Sequence, residues 1–225
     1  MILRDTRLTE LMDDPDCDPG TLQRTLQRFD LVNRAVARWG EVYRSLLRPA
    51  LIEHRGRARL LDIGCGGGDV LRRLVRIARA DGFTVEGLGI DPDPRAMQVA
   101  ASAHPMPGVS YRQAYGRELV DEGERFDFVL SNHLLHHLDE DEFADLFEES
   151  EELAGVLSVH SDIARSRLAY AAFAVGALPV APGTFLRVDG LRSIRRSYTA
   201  DELRARLPDG WDVRTVGPFR LLAVR

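Results

Sequence analysis

The chain has 225 residues, 44% of them hydrophobic, with two cysteines and a formal net charge of −5. That is enough for one sizeable α/β domain with an appendage, whose core needs neither a disulfide nor a structural metal. No basic stripe interleaved with aromatics marks a nucleic-acid partner, and the longest apolar run, 168–180, is shorter than the roughly twenty residues of a membrane span.

Residues 1–10 alternate charge with apolar side chains, unlike a signal peptide. Cys17 lies in a Pro/Asp-rich loop and Cys65 in a glycine turn, so a disulfide is not expected and a cytoplasmic setting fits. From Leu22 through Leu26, Phe29, Val32, Val36, Trp39 and Tyr43 to Leu46, apolar residues recur every three or four positions. This spacing predicts one or two amphipathic helices, with breaks at Phe29 and Asp30 and at Gly40. They form an N-terminal helical cap over 1–56, which either closes over a ligand or packs against a sheet.

From residue 58 the pattern alternates: strand 59–63, helix 69–80, strand 84–91, helix 95–103, strand 109–113. Strands separated by helices imply a parallel sheet with right-handed crossovers and a ligand at the strands' carboxyl ends. Between the first strand and helix stand Gly64, Gly66, Gly67 and Gly68, a turn that lets a ligand press on bare backbone beside a helix N-terminus. The dinucleotide fingerprint needs a further glycine three residues after Gly66, where this chain has Asp69. Asp69 and the preceding Asp62 repel phosphate and favour a cationic ligand. Asp91 ends the second strand, where nucleotide folds place a carboxylate on ribose hydroxyls. The plainer reading is a structural turn in which Asp69 only caps a helix.

A fourth strand over 126–132 leads into His133, His136 and His137, half of the chain's six histidines. Asp139 and Glu142 form a capping box opening an acidic, solvated helix to about 153. After a fifth strand over 155–160, residues 161–197 interrupt the alternation. They hold the apolar run 168–180, read as a lid or as a helix packed for stability. Arg187, Arg192, Arg195 and Arg196 follow, read either as an anion site or as partners of the acidic helix. Thr199 with Glu202 caps a helix that ends before Pro208, and 211–216 with 219–224 form a closing hairpin.

The run 62–68, Asp-Ile-Gly-Cys-Gly-Gly-Gly, resembles the first motif of class I S-adenosylmethionine (SAM) dependent methyltransferases. The resemblance spans roughly 58–225. The histidines after strand four and the 197–199 stretch are similar to those of bacterial quinol, phenol and secondary-metabolite methyltransferases. It implies a Rossmann-like, mostly parallel seven-stranded sheet with an antiparallel C-terminal strand. A helical cap over 1–56 precedes a methyltransferase domain over 57–225, with a lid insertion at about 161–197.

By the same resemblance Asp62 and Gly64 hold the amino-acid end of SAM, Cys65, Gly66 and Gly68 also bind the cofactor, Asp91 takes the ribose and Pro92 borders the adenine. Gln113 and Ala114 stand where the family often has an acid, and Asn132 and His133 lie beside the methionine part. The implied reaction is methyl transfer to a hydrophobic aromatic small molecule, most simply at a phenol or quinol oxygen, leaving S-adenosylhomocysteine. Arg165, Tyr170, Phe173 and Tyr198 are the acceptor-binding candidates, with His137 the first candidate for general base and His136 the second. Carbon or nitrogen methylation, a non-catalytic SAM-binding module and a nicotinamide oxidoreductase are the rivals, the last disfavoured by Asp69. No metal is expected: His136 stands where the His-x-x-Glu-His motif has its glutamate, and Ser131 and His133 offer no carboxylate.

Overall fold

A computed structural model describes residues 3–225, apart from the side chains of residues 30 and 35. Seven strands form one sheet: β1 (Arg57–Ile63), β2 (Thr84–Ile90), β3 (Val109–Arg112), β4 (Phe126–Asn132), β5 (Ala154–Ile163), β6 (Asp212–Thr215) and β7 (Arg220–Val224). Their order is β3-β2-β1-β4-β5-β7-β6. The first five are parallel, and β7 inserts antiparallel between β5 and β6. The chain thus has the mostly parallel sheet with an antiparallel C-terminal strand that the resemblance implied.

Alternation along each strand sends successive side chains to opposite faces. Leu60, Val85, Phe128 and Leu130 pack on one face against Trp39, Tyr43, Leu47, Leu71 and Leu74. Leu61, Ile63 and Val129 pack on the other against Phe143, Phe147, Tyr198, Leu203 and Trp211. The helices are α1 (Pro19–Val36), α2 (Trp39–Val42), α3 (Arg48–Glu53), α4 (Asp69–Ala80), α5 (Pro94–Ser102), α6 (Gly116–Asp121), α7 (Glu140–Leu153), α8 (Arg167–Gly176), α9 (Leu186–Arg196) and α10 (Ala200–Arg204). A π-helical turn, Tyr43–Leu47, joins α2 to α3. Among the described residues no helix is long and apolar enough to cross a membrane.

Three features differ from the sequence reading. Helix α1 runs unbroken through Phe29, because neither Phe nor Asp breaks a helix, and the break falls at Arg38, whose φ is 52°. Helix α6 was not expected; at six residues it shows no periodicity, only the Glu118 carboxylate on the Tyr115 amide. Residues 3–18, before α1, form no helix or strand but strap along α9. The Leu11 and Met12 amides donate to the Asp189 carboxylate at 2.7 and 3.1 Å, and Arg192 donates to the Thr9 carbonyl at 2.8 Å.

The glycine turn positions everything that follows. Gly68 sits at φ 71° as the N-cap of α4, and a Cβ there would strike the Tyr111 ring. Gly68→Ala is therefore expected to cost at least about 1–2 kcal/mol, the penalty for an L-residue in the left-handed region. Urea denaturation checks it, and an unchanged midpoint would contradict the account.

Candidate active site

The carboxyl ends of β1 and β2 present two buried acids. Asp62 is 1% exposed, and neither of its carboxylate oxygens has a hydrogen-bond partner. Burial, then the nearby charges of Asp69 and Asp91, push its carboxyl well above the ordinary range. Asp91 is better served: its oxygens accept from the Gly66 and Asp93 amides, both at 2.9 Å. Burial nevertheless raises it. Asn33 of α1 donates to Asp69 at 3.0 Å, tying the cap to the start of α4.

These groups floor a cavity of about 380 Å3. Of the expected cofactor residues, Asp62, Gly64, Cys65, Gly66, Asp91, Pro92, Asn132 and His133 line it, as do His136 and His137. Gly68 does not; its role is the cap of α4. Gln113 is exposed and spends its amide on the Pro92 carbonyl at 3.0 Å, while Ala114 is buried in the core, and neither lines the cavity.

A second cavity, about 450 Å3, lies between α1, α8 and α9 beyond the end of β5. Its walls include Ile163, Ala169, Ala172, Phe173, Val180, Leu186 and Phe219. The two cavities share Glu10, Phe29, Asn33, His133 and Ser193. The run 168–180 becomes α8 and a short 3-10 turn, with one face on this cavity and Leu168 and Val175 exposed on the other.

Of the four acceptor candidates, Phe173 alone lines it. Tyr170 lines neither cavity. Arg165 and Tyr198 are brought together by the bond from the Arg165 amide to the Tyr198 carbonyl at 2.8 Å, but away from the cavities. Arg165 donates to the Ser197 carbonyl at 2.7 Å and to Glu202 at 2.5 Å. Tyr198 is buried against Phe143, with the Arg4 guanidinium 3.8 Å above its ring. Both brace the junction of β5 with α10.

The arginines of α9 take neither role expected of them. Arg187 holds the Ala174 carbonyl, Arg192 and Arg195 hold Thr9 and Asp5 of the strap, and Arg196 holds the His137 carbonyl. Helix α7 pairs instead with Arg117, Arg206 and Arg225.

Glu10, Asp162 and Arg220, which the sequence pattern did not single out, complete the site. Glu10 of the strap puts Oε1 3.3 Å from His136 Nε2 and 3.5 Å from His137 Nε2, and accepts from Ser193 Oγ at 2.5 Å. On the far side, His136 Nδ1 lies 2.7 Å from Asp162 of β5, whose other oxygen accepts the His136 amide at 2.9 Å. Burial alone would lower His136, but Asp162 and Glu10 outweigh it and raise it to about 9. His136 is thus an imidazolium at neutral pH, clamped between two carboxylates. His137 Nδ1 lies 3.4 Å from Asp13.

The third is Arg220, 3% exposed at the start of β7. It donates to Asn132 Oδ1 at 2.6 Å and Ser161 Oγ at 2.7 Å, and sits 3.0 Å from His133 Nε2. Burial lowers it to about 10, so it keeps its charge. His133, at φ 61°, is held well below its ordinary value by burial and by Arg220 and is neutral. A charge within an otherwise apolar strand, 219–224, was the signal available for Arg220. Glu10 carried none.

A family described as "Methyltransferase domain" matches residues 60–154. Around that segment, most of the chain shares a fold with solved methyltransferases. The plantazolicin methyltransferase BpumL, solved with S-adenosylhomocysteine, aligns with a TM-score of 0.59 at 13% identity, over 91% of this chain and 95% of that one. A SAM-dependent methyltransferase from Aquifex aeolicus aligns with 0.51 at 17% identity, over 74% and 80%. Among curated proteins, the ubiquinone biosynthesis O-methyltransferase of Azorhizobium caulinodans is 42% identical over 82 residues, 36% of this chain and 30% of that protein. That of Methylobacterium nodulans is 34% identical over 117 residues, 47% and 45%. The chain thus spans less than half the length of these curated relatives. The matched segment contains the glycine turn, Asp91 and the three histidines, whereas Glu10, Asp162 and Arg220 lie outside it.

The His136 clamp has a pH signature. An unfolded histidine titrates near 6.5. The folded value is raised to about 9, so the clamp's stabilisation is fully present below pH ~6.5 and is lost as pH rises through 9. The thermal midpoint should fall over that window. Asp162→Asn, which leaves a buried charge with one partner, should cost about 3–5 kcal/mol near pH 6.5 and less at pH ~9.5. A mutant loss independent of pH would contradict the clamp.

Proposed function

We propose that this protein transfers a methyl group from SAM to a hydroxyl oxygen of a hydrophobic aromatic small molecule of the phenol or quinol class, releasing S-adenosylhomocysteine. The observation that carries the reading is the pair of adjoining cavities. One is floored by a buried carboxyl without a partner, the other is walled by apolar side chains, and they meet at His133 and Asn33.

The residues present fit SAM. The unpartnered Asp62 oxygens suit an ammonium group, and Asp91, already oriented by two amides, has lone pairs left for ribose hydroxyls. When bound, SAM supplies an electrophilic methyl on a sulfonium. The chain's own part is to hold the acceptor oxygen in line with that carbon, and such positioning is where most of the acceleration arises. Phe173, Ala172 and Leu186 keep water from the ring, and Arg220, at the wall both beside His133 and on the apolar cavity, favours the anionic form of a phenol. His136 already carries its proton, which leaves His137, half-buried and facing Glu10 and Asp13, as the base. The curated relatives' name, O-methyltransferase, supports oxygen over carbon or nitrogen as the methylated atom.

Calorimetry tests the cofactor half. SAM should bind, and Asp62→Asn and Asp91→Ala should each weaken binding by about 1–3 kcal/mol, the scale of a lost charged hydrogen-bond partner. Because Asp62 is raised without ligand and an ammonium favours its ionised form, SAM affinity should fall as pH is lowered, and Asp62→Asn should flatten that dependence. Tight NADH binding without SAM binding would overturn the reading, and SAM binding without turnover on any phenol would mark a binding module.

Kinetics test the acceptor half. Phe173→Ser should raise the acceptor's KM and leave SAM affinity nearly unchanged, whereas equal loss of both would make α8 a structural element. His137→Ala should lower kcat by roughly 10²–10⁴ if the residue accepts the proton.

A further inference from the structure

We propose that Glu10, His136 and His137 form a binding site for a divalent transition-metal ion of the zinc type, at the seam between the two cavities. Three donor atoms from distant parts of the chain converge there: Glu10 Oε1, His136 Nε2 and His137 Nε2 all lie within 4.8 Å of one another. The two edges that meet at Oε1 measure 3.3 and 3.5 Å. Ligand atoms about 2.0–2.1 Å from a tetrahedral zinc ion stand ~3.3–3.5 Å apart, so these edges already match.

The surroundings match as well. A metal-binding imidazole typically gives its other nitrogen to a carboxylate, which fixes its tautomer and its direction. Both histidines have that partner, Asp162 at 2.7 Å from His136 Nδ1 and Asp13 at 3.4 Å from His137 Nδ1. Ser193 Oγ braces the Glu10 carboxylate, and Arg196 holds the His137 carbonyl. A purely structural ion pair explains Asp162, His136 and Glu10, but not why His137 faces the same oxygen with a carboxylate of its own behind it.

Two imidazoles and one carboxylate suit zinc, cobalt or iron(II) better than magnesium, which prefers oxygen ligands and bound water. The ion would take the place of the proton that His136 Nε2 carries towards Glu10 in the empty site, so binding releases that proton. Three protein ligands leave a fourth position open, the arrangement of catalytic zinc sites. All three ligands line the polar cavity, and Glu10 lines the apolar one too. The catalytic consequence rests on the proposed methyl transfer. An ion in this place would polarise the acceptor's hydroxyl oxygen and ease loss of its proton to solvent, with His137 serving as ligand rather than base.

The test uses the full chain, stripped with a chelator and titrated with Zn2+ and with Co2+. One ion per chain should be retained through gel filtration, and Co2+ should give the intense visible bands of a tetrahedral site. Glu10→Gln and His137→Ala should abolish both signals, and Asp13→Asn should weaken binding about 10–100-fold, as loss of an outer carboxylate does. Circular dichroism on each variant separates lost binding from lost folding, and His137, half-buried, is the position where a folded variant is expected. No retained ion, or retention unaffected by His137→Ala, which would mean an adventitious ion only, overturns the proposal. SAM affinity measured on the stripped protein distinguishes the two readings: metal binding without SAM binding sinks the methyl-transfer reading and leaves the site standing.

Discussion

A protonated imidazole held between two buried carboxylates is the contact on which the site depends. His136 comes from the loop after β4, Asp162 from β5 and Glu10 from the strap before α1, so one side chain fixes three separate pieces of chain. Asp162 is itself rigid, paired in register with Leu221 of the antiparallel β7. Each partner is buried, and removing any one strands a charge in a medium of low polarity. The interaction therefore does more to specify where the strap lies than to add net stability, since burying three ionised groups costs much of what their attraction returns.

Around this clamp the charges are arranged with opposite purposes. At the clamp and at Arg220, every buried charge meets its counterpart or several hydrogen-bonding oxygens. At Asp62 the carboxyl is buried among other acids without a donor, a state that folding alone would not favour. An uncompensated group of this kind is resolved by a ligand of opposite charge, and it stands at the carboxyl end of β1, where open α/β sheets bind ligands. The apolar cavity beyond it has no such deficit. Its walls come mainly from α1, α8 and α9, which lie outside the alternating strands and helices of the sheet.

Much of this was legible in the chain. Strand and helix periodicity, the capping boxes at Asp139 and Thr199, and the acids after β1 and β2 are local signals, set by residues a few positions apart. They placed Asp62, Asp91, Asn132 and the histidines at the carboxyl edge of a parallel sheet, and the fold brings those residues to one cavity. Phe173 also followed from its apolar run. The arginines of α9 show where this kind of reading stops. Their number suggested an anion or the acidic helix α7, yet Arg192 and Arg195 hold the strap, a segment with no periodicity to announce it.

The sequence by itself thus determined the elements, their alternation and the acidic, glycine-rich site, because backbone propensity and side-chain periodicity act over a turn of helix or a pair of strand residues. Only the tertiary structure decided which charges meet. Glu10 lies 126 residues from His136, and Arg220 lies 87 from His133. Arg165 and Tyr198, promising as acceptor contacts, are turned into the brace between β5 and α10. Whether a carboxylate pairs with an imidazole or stands alone depends on distances of a few ångströms between elements far apart in the chain, and no local pattern of residues encodes those distances.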